Sequence, residues 1–183
     1  MFEEMLVRHG SPTLAGIKTG SLFSCACPCR LRLTAEIRQI NRKLIPKGLR
    51  LLPLRVENGR ALIYLYRPNA LACDFMHHLT RSILEENGYV PDRCNQCVVH
   101  LMRRIQSNGD FPHEIGLFLG YPPEDVLGFV QNRAGKYKCV GCWKVYGDVA
   151  AAQCVFQRYA ACTRAYRQQW DQGKSIERLI VTG

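Results

Sequence analysis

Two Cys-x-x-Cys pairs have the spacing that best fits metal binding. They are Cys94-Asn95-Gln96-Cys97 and Cys139-Val140-Gly141-Cys142. Two such pairs can present four thiolates to one zinc or iron ion, and the imidazole of His113 is a further candidate ligand. The separation between the pairs is long for a zinc ribbon. The sequence therefore leaves a zinc or iron site open without predicting it strongly.

Each pair also has a plain structural interpretation. Cys94 and Cys97 begin an apolar stripe of helical spacing that continues through Ile105, which favours two buried thiols on a helix. The second pair lies in an apparent strand, whose alternation would place its thiols on opposite faces. Those thiols can meet only if the Val140-Gly141 step forms a turn.

A third group of thiols suits nucleophilic chemistry better than metal binding. Cys25, Cys27 and Cys29 lie between a predicted strand and a predicted helix, beside Arg30 and Arg32. A helix N-terminus and cationic neighbours both lower the pKa of a thiol and strengthen it as a nucleophile. An exposed turn that merely contains cysteine is the alternative.

His113 could serve one of these thiols as a general base. Residues 111–120, FPHEIGLFLG, resemble the histidine strand of papain-like cell-wall peptidases. The resemblance implies a cysteine hydrolase or transferase, in which the imidazole accepts the thiol proton. This resemblance spans about ten residues.

The positive charge of the chain favours an anionic partner. The net charge is +10, and the segment from Arg30 to Arg67 alone carries +8. Tyr64 and Tyr66 lie in that segment, where aromatic rings beside arginines could stack bases and hold phosphates. The candidate contacts for nucleic acid or nucleotide are Arg50, Arg55, Arg60 and Arg67. Solvated surface charge on an ordinary basic protein is the alternative.

An α/β fold must position these groups. The clearest local signal is a β-hairpin of residues 49–56 and 61–67, because Asn58-Gly59 suits a type I′ turn. Further strands are predicted at residues 16–24, 114–120, 137–146 and 176–181. Helices are predicted at residues 2–9, with a stop near Pro12, and at residues 33–44, 69–86, 92–108, 122–132 and 149–172. Asp125 is expected in the first turn of the helix of residues 122–132 as a partner of its dipole, and Asp148 is expected to cap the last and longest helix. Strands that alternate with helices predict one domain over residues 1–183, a mixed sheet with one antiparallel hairpin, covered by helices.

A cytoplasmic location is expected. The acidic start, Met1-Phe2-Glu3-Glu4, does not match a secretory signal, and no apolar run has the length of a membrane span. In that compartment the ten cysteines would be reduced thiols, metal ligands or redox groups.

Five stretches resemble the bacterial family known as domain of unknown function 3793. They are residues 14–18, 46–49, 64–68, 113–122 and 142–148. The segments HEIG and WKVYGD are specific to it. The resemblance covers nearly the whole chain and implies a small cytosolic bacterial protein with no assigned activity.

Our leading hypothesis from the sequence is a non-catalytic accessory or binding protein. Its thiols would link it to metal or redox metabolism, with zinc or iron as the cofactor and a redox protein or an anion as the partner. The cysteine hydrolase or transferase and the nucleic-acid or nucleotide binder are the alternatives.

Overall fold

A computed structural model describes residues 2–107 and 111–182 of the chain. Its helices are α1 (Phe2–Leu14), α2 (Arg30–Leu44), α3 (Pro68–Phe75), α4 (His78–Glu86), α5 (Cys94–Gln106), α6 (Ile115–Phe118), α7 (Pro123–Gln131), α8 (Val149–Asp171) and α9 (Ile176–Leu179), with a 3₁₀ turn at Ile45–Lys47. Its strands are β1 (Gly20–Ala26), β2 (Arg50–Glu57), β3 (Arg60–Tyr66), β4 (Cys139–Val140) and β5 (Lys144–Val145).

The main sheet has the order β1-β3-β2, and both of its strand pairs are antiparallel. The hairpin predicted from Asn58-Gly59 is confirmed as β2 and β3. Both turn residues have the positive φ that a type I′ turn requires, 49° at Asn58 and 69° at Gly59. The α/β class with a helix-covered sheet is therefore confirmed.

Both faces of this sheet are buried. Alternate residues of β3, such as Ile63 and Leu65, face one aliphatic core that α1, α2 and α9 complete. The intervening residues Tyr64 and Tyr66 face a second core, completed by helices α3 to α7. Burial on both faces accounts for the nearly continuous apolar sequence of the central strand β3.

Two segments predicted as strands are short helices. Residues 114–120 contain α6, and residues 176–181 contain α9. Ile115 to Leu119 are buried on all sides, and a short run buried in this way has no periodicity that separates a strand from a helix. The main sheet is wholly antiparallel, whereas a mixed sheet was predicted, because β3 lies between β1 and β2 and pairs antiparallel with both.

Other predicted boundaries shift. Helix α1 continues through Pro12, where it was expected to end. The first strand begins at Gly20 instead of residue 16, and the helix of residues 69–86 is divided into α3 and α4. The strand of residues 137–146 is the small β4–β5 hairpin. The expected end of α5 at Asn108 lies outside the described residues.

The longest helix, α8, is confirmed together with its cap. The Asp148 side chain accepts a hydrogen bond of 3.0 Å from the Ala151 amide, as an N-cap aspartate does. Within residues 2–107 and 111–182, no helix combines the length and the apolar character needed to cross a bilayer.

Candidate binding cavity

An aromatic cavity of about 310 Å³ lies between helices α6 and α7 and the β4–β5 hairpin. Its walls are mostly rings and aliphatic groups, and its charged side chains are few. The lining residues are Phe111, His113, Ile115, Gly116, Tyr121, Asp125, Val126, Phe129, Trp143 and Lys144. We call this space the aromatic cavity.

Asp125 fixes the hairpin against α7. It lies in the first turn of α7, as predicted, and its side chain is buried. One carboxylate oxygen accepts a hydrogen bond of 2.6 Å from Trp143 Nε1. The other accepts hydrogen bonds of 2.7 Å from the amides of Tyr146 and Gly147. Three donors therefore satisfy this carboxylate, and it holds the hairpin in place.

Stacked rings form two walls of the cavity. The Trp143 ring stacks on Tyr121 with centroids 4.9 Å apart and meets Phe156 edge-on at 4.6 Å. The His113 ring lies 5.1 Å from the Phe129 ring. Aromatic faces arranged in this way favour a flat, apolar guest.

Lys144 supplies the positive charge of the cavity. Its Nζ donates a hydrogen bond of 2.7 Å to the Ala134 carbonyl and lies 4.8 Å and 5.8 Å from the ring centroids of Tyr137 and Phe129. A lysine ammonium has three hydrogens. Because the bond to the Ala134 carbonyl uses one of them, the other hydrogens of the Lys144 ammonium can be donated to a ligand.

Glu114 anchors the start of α6 beside His113. Its buried carboxylate accepts a hydrogen bond of 2.6 Å from Tyr89 and forms an ion pair of 2.7 Å with Arg104. Burial and the neighbouring Glu114 raise the pKa of Tyr89, so that the phenol stays a donor. This network positions the chain that carries His113, although His113 itself is exposed.

The predicted nucleophiles lie far from this arrangement. Cys25 and Cys27 are buried in the core that contains α1 and α2, on the opposite face of the sheet from the aromatic cavity. With Cys29 they line a separate pocket of about 310 Å³ beside Phe2. Burial raises the pKa of the Cys25 thiol, which is the opposite of activation. The structure thus does not bring these thiols to His113.

The first Cys-x-x-Cys pair occupies the first turn of α5. Cys97 is buried, and its thiol donates to the Val90 carbonyl at 3.1 Å. Burial raises the pKa of Cys94 to about 11 and raises that of Cys97 as well. Thiols with these properties behave as small apolar side chains of the core.

The second pair flanks a turn. The Gly141 amide donates to the Trp143 carbonyl at 3.0 Å, so Cys139 lies in β4 and Cys142 lies in the turn between β4 and β5. All ten cysteines are free thiols. Within the described residues, no group of three or more His, Cys, Asp or Glu side chains is placed to hold a metal ion.

The four candidate arginines do not form one anion site. Arg67 is buried, and its guanidinium donates to the carbonyls of Thr13 at 2.7 Å, Leu14 at 2.8 Å and Val181 at 2.6 Å. It therefore ties α1 and the chain after α9 to the sheet.

The other arginines contact neighbouring side chains. Arg60 donates to Ser24 at 3.1 Å, and Arg55 lies 3.6 Å from Glu57. Arg50 lies near Tyr66, where burial raises the pKa of the phenol and the arginine charge opposes that shift only in part. Nucleic-acid binding through this segment stays a prediction.

Sequence reasoning identified His113 but missed the residues around it. Tyr121, Trp143 and Lys144 lie in the stretches that carried the family resemblance, which was the available signal. Phe129 had no such signal, because on its own it reads as one more apolar residue of α7.

Comparison with known proteins gives one match. No curated protein and no solved structure matches the chain. The family model described as protein of unknown function (DUF3793) matches residues 6–180. That match spans nearly the whole sequence, as the resemblance implied, and the chain belongs to this family.

Proposed function

We propose that this protein is a non-catalytic binding protein whose ligand is a small, flat anion held in the aromatic cavity. The carrying observation is the position of Lys144, whose ammonium lies at an aromatic wall. The thiols, which suggested metal or redox chemistry, are not part of this cavity lining.

The size of the cavity limits the ligand. Pockets for small molecules span roughly 300–1,000 Å³, so a cavity of about 310 Å³ is at the lower end. The walls of Trp143, Tyr121 and Phe129 favour one or two fused rings. A nucleotide with its sugar and phosphates is too large for a cavity of this volume.

The charges favour an acid over a base. Among the described residues, Asp125 is the acidic side chain of the lining, and its carboxylate already accepts three hydrogen bonds. Lys144 has unused donors, and His113 lies exposed at the same cavity. An aromatic carboxylate would place its ring between the walls and its charge beside Lys144.

Calorimetric titration with 1-naphthoate tests this proposal, with the neutral alcohol 1-naphthalenemethanol as the matched ligand. We expect the carboxylate to bind more tightly. Lys144→Gln should weaken naphthoate binding by roughly tenfold to a hundredfold, the value of one charge-assisted hydrogen bond, and should affect the alcohol little.

Lys138→Gln is the matched control variant. Lys138 belongs to the same hairpin and also donates to a backbone carbonyl, that of Gly147 at 2.9 Å, but it does not line the cavity. Equal affinities for the acid and the alcohol, or equal losses in the two lysine variants, would refute the proposal.

A further inference from the structure

The side chain of Lys18 lies between two tyrosine rings, and one of them, Tyr121, also lines the aromatic cavity. The Lys18 Nζ lies 5.4 Å from the centroid of the Tyr121 ring and 5.6 Å from that of the Tyr159 ring. The Cys142 thiol is close enough to interact with the Lys18 charge. We call these four residues the lysine cluster.

Among the described residues, Lys18 differs from Lys43 in its hydrogen-bond partners. Lys43 is held by the carboxylates of Glu3 and Glu177, each at 2.8 Å, and these bonds raise its pKa. In the part of the chain that the structure describes, no carboxylate or carbonyl accepts a hydrogen bond from Lys18 Nζ. Burial lowers the pKa of Lys18, and Cys142 opposes that effect only in part.

The two tyrosines do not neutralise this ammonium. Burial raises the pKa of Tyr121 and of Tyr159 to about 12, so both phenols remain uncharged near neutral pH. Their ring faces stabilise a cation weakly compared with a carboxylate. The cluster thus favours the neutral amine more than an exposed lysine site does.

The backbone that carries Lys18 is well anchored. The amides of Ile17 and Lys18 both donate to the Pro12 carbonyl, at 3.0 Å and 3.1 Å. The hydroxyl of the next residue, Thr19, donates to Asp74 at 2.5 Å. A fixed backbone limits the positions of the amine and keeps it between the two rings.

We propose that Lys18 is a nucleophilic amine that condenses with the carbonyl group of a small aldehyde or ketone. Desolvated lysines are activated for this chemistry. The nitrogen lone pair attacks the carbonyl carbon, and the carbonyl oxygen takes up a proton. The nitrogen loses one proton, the new hydroxyl takes up a second proton and leaves as water, and the nitrogen loses its remaining proton as the carbon–nitrogen double bond forms. An imine and one water molecule result, without an oxidant or a reductant.

Reductive trapping with benzaldehyde, which has no carboxylate for Lys144 to bind, tests this step on the full chain near neutral pH. Cyanoborohydride adds hydride to the imine carbon and fixes the adduct as a secondary amine, which peptide mass spectrometry locates. We expect label on Lys18 to exceed label on the exposed Lys136 and Lys138 several-fold. Lys18→Arg should abolish the excess, and Lys138→Arg should retain it.

Lys144→Gln separates this inference from the proposed function, because it alters the aromatic cavity and spares the lysine cluster. Selective labelling of Lys18 should persist in that variant. Label distributed evenly over the exposed lysines, or label found chiefly on Lys144, would overturn the inference. The wild-type peptide map gives this result even if a variant fails to fold.

Discussion

The sheet region, residues 2–107, and the site region, residues 111–147, are stabilised in different ways. In the sheet region, apolar side chains pack against both faces of three strands, with aliphatic groups on one face and many aromatic rings on the other. In the site region, two strands of two residues each are held by polar contacts, above all those of Asp125. The β4–β5 hairpin thus has few strand-to-strand hydrogen bonds of its own, and the hydrogen bonds to the buried Asp125 carboxylate hold it in place.

The largest expected effect is on global stability from a substitution in the sheet region. Leu65 is fully buried against α1, where Gly10 approaches it closely. Leu65→Ala should lower the free energy of unfolding by about 2–5 kcal/mol, as measured by urea denaturation. Naphthoate affinity should be unchanged under conditions where the variant is folded. A large loss of affinity would show that the two regions are coupled.

The next effect belongs to the site region. Asp125→Asn keeps the shape of the side chain but turns an amide NH₂ toward a donor, either Trp143 Nε1 or the Tyr146 and Gly147 amides. We expect a loss of about 2–3 kcal/mol in unfolding free energy together with a loss of naphthoate binding. Normal binding in this variant would mean that Asp125 does not position the cavity wall.

In the sheet region, replacing the Asp74 carboxylate with an amide should increase the free energy of unfolding instead of lowering it. Burial raises the pKa of Asp74, while its hydrogen bond from Thr19 opposes that shift. A raised pKa means that the folded state favours the protonated acid, so stability is lost as pH rises through the pKa of the folded state. Asp74→Asn should therefore increase stability at neutral pH.

The pH dependence provides the check on Asp74. The advantage of Asp74→Asn should shrink as the pH falls toward and below the usual pKa of an aspartate, because the wild-type acid is then protonated. Chemical denaturation at a series of pH values measures this difference. An advantage that is constant with pH would assign the effect to something other than the charge.

The difference between the two regions also explains which features could be predicted from the sequence. Asn58-Gly59 and the alternation in β3 encode a local geometry, so the hairpin was predictable. Asp148, as an N-cap residue, likewise predicted the start of α8. The bonds from Trp143, Tyr146 and Gly147 to Asp125 join residues about twenty positions apart, and neither periodicity nor turn chemistry encodes such a contact. Asp125 was therefore expected only as a partner of the helix dipole.

The cysteines illustrate the limit on predicting the site. Residue type and spacing suggested a metal site at Cys94, Cys97, Cys139 and Cys142, but spacing does not reveal which thiols are buried. Cys97 is almost inaccessible, whereas Cys142 is exposed. The residues of the aromatic cavity have no motif comparable to Cys-x-x-Cys, because aromatic residues are equally common in hydrophobic cores.

The claim that a flat anion binds in the aromatic cavity is tested most directly by the indole NMR signals of the two tryptophans. Trp143 lines the cavity, while Trp170 packs against the α1–α2 core and serves as the internal reference. Titration with 1-naphthoate should shift the Trp143 Nε1–H signal and leave that of Trp170 in place. Shifts of both signals, or of neither, would contradict the proposed binding site.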